Sequence, residues 1–249
     1  MEYARWAPVY ERIRVDFGFA WAREEAAAAD LRRRLPPDAL RRPLERATER
    51  LRGRTVVVVG NAPGAGAPPV WRLRLPPADL AIVAADGATA PCLRAGLVPE
   101  VVVTDLDGPV ASEVTANHRG ALVVIHAHGD NRAAIADWAE AFPGAVAGSW
   151  AGAPSEGLLN VGGFTDGDRA AYLAEHGGAS SILLWGFDFE RVSEVDPVRA
   201  DRKRAKLGWA ARALGWLAAS TAVPISLWER DGRRRPYPPD AGIAAASTR

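Results

Sequence analysis

Hydrophobic and polar positions change rhythm near residue 54. Before it the rhythm is helical. Trp6, Tyr10, Ile13 and Phe17 recur at three- and four-residue spacing and mark one apolar helix face. Ala22 to Leu35 is rich in Ala, Glu and Arg, all good helix formers, and Pro36-Pro37 breaks it. Asp38 is placed to cap a third helix ending near Gly53. Residues 1–52 thus read as an N-terminal helical segment packed on the core.

From Arg54 onward, short apolar runs alternate with helical patterns. Thr55–Val59, Leu80–Ala84, Val101–Thr104, Leu122–Ile125, Ser181–Trp185 and Pro224–Trp228 are the predicted strands. Helices are predicted around 88–95, 109–119, 131–141, 167–176 and 201–220. Strands that are apolar on both sides and separated by helices predict an α/β fold, with a mainly parallel sheet covered by helices on both faces. The α/β core spans 53–230. Residues 231–249, rich in Arg, Pro, Ala and Gly, read as a partly loose C-terminal tail.

Composition narrows the function. The 31 basic and 30 acidic residues nearly cancel, so charge gives no sign of a nucleic-acid surface. No apolar run is long enough to span a membrane. The single cysteine, Cys92, excludes an internal disulfide and a multi-cysteine zinc site, which fits a cytoplasmic protein. All the basic residues but two are arginine, and the two lysines, Lys203 and Lys206, lie three apart on one side of a predicted helix. That spacing fits a site that needs a compact ammonium, for example on phosphates. It fits equally a solvated face on which two lysines fall by chance.

Ligands bind parallel sheets outside the carboxyl ends of the strands. Here those ends carry Asn61, Asp86, Asp105, Asp107, Asp130 and Asp188. In Asp105-Leu106-Asp107-Gly108 the two carboxylates, at i and i+2, share one face if the segment is extended, and could hold a hard cation. A helix cap followed by a turn is the other reading. His126-Ala127-His128-Gly129-Asp130-Asn131 reads as a metal and phosphate site, or as a cap beside hydrogen-bonded histidines. Gly162-Gly163-Phe164-Thr165-Asp166-Gly167-Asp168-Arg169 leads into a helix. Its paired glycines would let a ligand approach the backbone, and Arg169 could meet a phosphate. Thr165 or Asp166 is also a cap. The turn after Gly60 is Gly-rich but matches no P-loop, so any ATP is held without one.

In this order the motifs resemble the archaeal 6-hydroxymethyl-7,8-dihydropterin pyrophosphokinase family. They are Ala85-Asp86-Gly87-Ala88, Gly96 to Gly108, His126 to Asn131, Gly162 to Ala170, and Gly186-Phe187-Asp188-Phe189 followed by Lys203, Lys206 and Leu207. The opening segment, Trp6, Tyr10, Ile13 and Asp16 to Phe19, resembles that family too. A more distant resemblance runs to thiamine pyrophosphokinase, whose catalytic-domain sheet is the fold implied.

The resemblance implies transfer of diphosphate from ATP to the pterin hydroxymethyl group, with release of AMP, for methanopterin- or folate-type coenzymes. It implies Mg²⁺ on Asp105, Asp107 and Asp130, with Asp166 completing or orienting the shell. Gly60, Asn61, Asn131, Arg169, Lys203 and Lys206 would meet ATP and its phosphates. Asp86, Gly163, Phe164 and Asp188 would meet the pterin. The expected partners are ATP and a small pterin, without nucleic acid or membrane, and a homodimer is the candidate assembly. Three rivals share parts of this pattern: a thiamine pyrophosphokinase, a nucleotide-sugar glycosyltransferase-like enzyme, and a non-catalytic nucleotide-binding module.

Overall fold

The computed structural model describes residues 3–40, 43–155, 157–192 and 195–240. Three N-terminal helices, α1 (Tyr3–Phe17), α2 (Trp21–Arg34) and α3 (Pro43–Leu51), precede one sheet. Asp38 lies in a turn ahead of α3, and its carboxylate accepts from Arg46 instead of capping that helix.

Five strands follow with short helices between them: β1 (Thr55–Val59), β2 (Leu80–Ala85), α4 (Thr89–Arg94), β3 (Val101–Thr104), α5 (Val110–His118), β4 (Leu122–Ala127), α6 (Arg132–Trp138) and β5 (Val146–Trp150). The chain then runs through β6 (Leu158–Leu159), α7 (Asp166–His176), β7 (Ser181–Trp185), the long α8 (Pro197–Ser220), β8 (Ile225–Trp228) and β9 (Arg234–Pro236). The nine strands are ordered β6-β5-β4-β3-β2-β1-β7-β8-β9. All pairs are parallel except β8 with β9. Residues 231–240, read as part of a loose tail, contribute that last strand and the buried Tyr237; positions 241–249 lie outside the described residues.

Alternation within the valine-rich strands assigns the two faces. Val56, Val58, Val83, Val103 and Val124 pack with Trp6 and Ile13 of α1, Tyr172 and Leu173 of α7, and Leu214 of α8. On the other face Val102, Val123 and Ile125 meet Leu31 of α2 and Ile135 of α6, while Val57, Val59 and Ile82 meet Cys92 of α4. Each fully buried valine or leucine adds about 1.5–3 kcal/mol of burial, which is why both faces are apolar. No helix among the described residues is long and apolar enough to cross a membrane.

β1 sits beside both β2 and β7, so the strand order reverses there. The crevice beyond the carboxyl ends of β1 and β7 is the topological switch point, where such sheets bind ligands. Glycine lets the two strands close up at this point. A Cβ on Gly60 would lie 2.7 Å from the Gly186 carbonyl oxygen, and one on Gly186 2.5 Å from that of Gly60.

Candidate active site

A cavity of about 300 Å³ opens at this crevice. β1 brings Gly60 and Asn61 to it, β2 brings Asp86, and β3 brings Asp105 and Asp107. The start of α7 adds Phe164, Asp166 and Arg169; the loop after β7 adds Phe187, Asp188, Phe189 and Arg191. Both lysines, Lys203 and Lys206, reach it from α8. Tyr10 and Phe19 complete an aromatic wall from the N-terminal segment.

Asp105 and Asp107 meet in the cavity by a different route from the one their spacing suggests. The segment is a turn, not an extended face. Leu106 takes a left-handed conformation, φ +67°, and is buried. Its amide donates to Thr104 Oγ1 at 2.9 Å, and the Asp107 amide donates to Asp105 Oδ1 at 3.3 Å. A left-handed leucine costs about 1–2 kcal/mol, which its buried side chain offsets.

Burial works against an ionised Asp105, but His128 outweighs it and the carboxyl is pulled down to about 2. The Asp130 amide donates to His128 Nδ1 at 3.3 Å, which leaves Nε2–H for Asp105 Oδ2 at 3.2 Å. Asp107 is pushed up to about 7, first by withdrawal from water and then by the Asp105 and Asp86 charges. Asp166 is raised well above the usual range by burial and by Asp105, although Arg169 Nη1 donates to it at 3.1 Å. Such a stack of acids is relieved by a cation.

The donor set decides which cation fits. No group of three or more His, Cys, Asp or Glu among the described residues is spaced to hold a metal. His126 is paired with Ser149, and His128 is committed to Asp105. Two oxygen ligands with open space beside them suit Mg²⁺, which completes its shell with water and phosphate.

Several expected ligands lie outside the cavity lining or are already paired within the chain. Asp130 does not line the cavity; its carboxylate pairs with Arg23 at 3.0 Å. Asn131 does not line it either. Its amide group donates to the backbone oxygens of Asp105 at 2.8 Å and His126 at 2.7 Å, tying the ends of β3 and β4 together. Gly162 and Gly163 admit helix α7, not a ligand: Cβ atoms there would strike Tyr172 and Arg169. Gly163 is absent from the cavity lining, and Thr165 is the cap of α7, with Asp168 returning to its amide at 2.7 Å. Asp188 lines the cavity, but its carboxylate already accepts the amides of Glu190 and Arg191 and the Arg191 side chain.

Sequence reasoning missed Tyr10, Phe19, Phe187, Phe189 and Arg191 as site residues. Tyr10 sits on the apolar face of α1 and Phe19 just beyond that helix, and only the fold carries them to the rim. It also missed the clamp on the 126–131 turn, where Arg23 Nη2 donates to Gly129 O at 3.1 Å and Gly129 N donates to Glu24 Oε1 at 3.2 Å.

Residues 37–193 match the profile of the family described as 6-hydroxymethylpterin diphosphokinase MptE-like. The chain belongs to the MptE-like family. Three curated relatives bear the name 6-hydroxymethyl-7,8-dihydropterin pyrophosphokinase. The protein of Methanothermobacter thermautotrophicus is 36% identical over 92% of this chain and 100% of its own length. That of Pyrococcus furiosus is 36% identical over 87% and 94%, and that of Methanocaldococcus jannaschii 31% identical over 76% and 80%. The stretch matched to the MptE-like profile carries every acidic residue of the cavity. Tyr10, Phe19 and the two lysines lie outside it.

Proposed function

We propose that the protein transfers a diphosphoryl group from ATP to the hydroxymethyl group of 6-hydroxymethyl-7,8-dihydropterin. One observation carries this reading: a single cavity at the switch point joins Asp105 and Asp107 to Lys203 and Lys206 beside an aromatic wall. Relatives that bear the pterin pyrophosphokinase name support the choice of acceptor.

The pterin oxygen attacks the β-phosphorus of ATP, the bond from that phosphorus to the α-phosphate oxygen breaks, AMP leaves, and the hydroxyl proton passes to water. This chemistry depends on placement and on neutralising charge. Lys203 and Lys206 hold the phosphate chain from the α8 side, and Arg191 from the loop after β7. Asp105 and Asp107 are the residues that would hold Mg²⁺, which, when bound, draws phosphate charge toward itself. His128 fixes Asp105, and Asn131 fixes the backbone beneath both. Asn61 and the Gly60 turn lie against the nucleotide. Asp86 is the carboxylate left to accept the two N–H groups of the amino-pyrimidine edge, because Asp188 is already engaged. Phe164, Phe187 and Phe189 offer ring faces to the pterin.

A product assay tests the reading. Purified protein is incubated with Mg²⁺, ATP and the dihydropterin, with thiamine in a parallel tube, and the nucleotides are separated. AMP formed with the pterin alone is the expected result. AMP formed only with thiamine overturns the acceptor, and no AMP in either tube overturns the reaction.

A further inference from the structure

Below the rim, under α5, lies an acid that the reaction above does not use. Glu113 stands in the first turn of α5 and is fully buried. No donor meets either of its carboxyl oxygens at hydrogen-bond geometry. The polar side chains it faces are those of Asp86 and Thr104. An unpaired buried carboxyl is destabilising, and an apolar side chain of similar volume would fill the space without that penalty. Packing therefore gives no account of a carboxyl group at this position.

Asp86 is held from its other side. Its backbone takes a positive φ of +42°, and its carboxylate lies so close over Gly108 that any Cβ there would collide with it. Thr104 Oγ1 reaches Asp86 Oδ1 only at 3.4 Å, too far to fix it alone.

We propose that Glu113 is a positioning residue for Asp86: its carboxyl group, lodged beneath Asp86, sets the orientation in which Asp86 meets the pterin. The proposal rests on the reading of Asp86 as the pterin contact. Neighbouring buried carboxyl groups do not both ionise. Burial, and then Asp86, push Glu113 up to about 9, so it is the partner that keeps its proton. A neutral Glu113 has one O–H to donate, and the Asp86 side chain has oxygens to accept it.

The test is equilibrium binding of the dihydropterin, followed by its fluorescence, to wild-type protein, Glu113→Leu and Glu113→Gln. KM values for pterin and ATP and the thermal midpoint are measured alongside. The expected result is pterin binding weakened about tenfold in Glu113→Leu, with KM for ATP unchanged and a midpoint equal to or above wild type. Glu113→Gln, which still has an N–H to donate, should recover most of the affinity. Wild-type binding in Glu113→Leu overturns the proposal alone; a wild-type chain that binds no pterin overturns both it and the function it rests on. If Glu113→Leu does not fold, infrared spectra of the wild-type chain decide. A carboxylic-acid band at neutral pH that Glu113→Gln removes supports the proposal, and its absence overturns it.

Discussion

Gly186→Ala should destabilise the protein by about 2–5 kcal/mol, from two separable causes. Gly186 has φ +72°, a conformation that costs an L-residue about 1–2 kcal/mol. The new Cβ would also lie 2.5 Å from the Gly60 carbonyl oxygen and 3.0 Å from Ala65 Cβ. Neither neighbour is the far end of a flexible side chain, so the strand ends must part, at the roughly 1–3 kcal/mol typical of overpacking. In a chain of this size the total corresponds to about 4–20 °C in the thermal midpoint. Gly178→Ala is the control. Gly178 has φ +80°, but its Cβ would meet nothing closer than Arg52 Cγ at 3.5 Å, so only the backbone cost of about 1–2 kcal/mol applies. Urea and thermal unfolding of both variants give the comparison. Equal losses would refute the close approach of β1 and β7. A larger loss in Gly186→Ala should come with weaker ATP binding, because the displaced loop carries Phe187, Asp188 and Arg191.

Asp105→Asn or Asp107→Asn should lower AMP formation at least about 100-fold while circular dichroism stays unchanged; full activity in both would remove them from the metal site. Lys203→Ala and Lys206→Ala should each raise KM for ATP about tenfold, and Lys203→Arg should impair turnover because a planar guanidinium does not replace a compact ammonium; unchanged kinetics would return the lysine pair to chance. Burial, with Arg169 nearby, holds His126 well below its usual range, so the folded chain refuses a proton that the unfolded chain accepts below about pH 6.5. Stability should therefore fall as pH drops below that value, by up to about 1.4 kcal/mol per unit, and His126→Gln should flatten the slope in urea titrations; an unaltered slope would assign it to other groups.

Six strands were legible because β-branched runs end in turn residues, and the five helices after Arg54 followed from the spacing between those runs. β5 escaped because Val146-Ala-Gly-Ser-Trp150 has small residues in place of a continuous apolar run, and β6 because two leucines carry no period. β9 is Arg-Arg-Pro, an exposed edge with no apolar signal, and only its register against β8 makes it a strand. In the site, the acids were visible because topology gathers strand ends on one rim. Their division into cavity and framework was not. Asp130 and Asn131 are separated from Asp107 by side-chain direction, which spacing does not encode. Glu113 reads as an ordinary first-turn acid until α5 is laid on the sheet.

The cavity draws on residues from Tyr10 to Ala210, so its parts leave the ribosome far apart in time. α1 and α2 are made first, yet they pack on strands and helices made later, and Lys203 and Lys206 come near the end of the fold. Contacts this distant in sequence close late in folding. A nascent chain stopped before α8 would carry the complete acidic rim without the two lysines that face it. Nucleotide binding should therefore switch on as one late step of synthesis and not accumulate strand by strand.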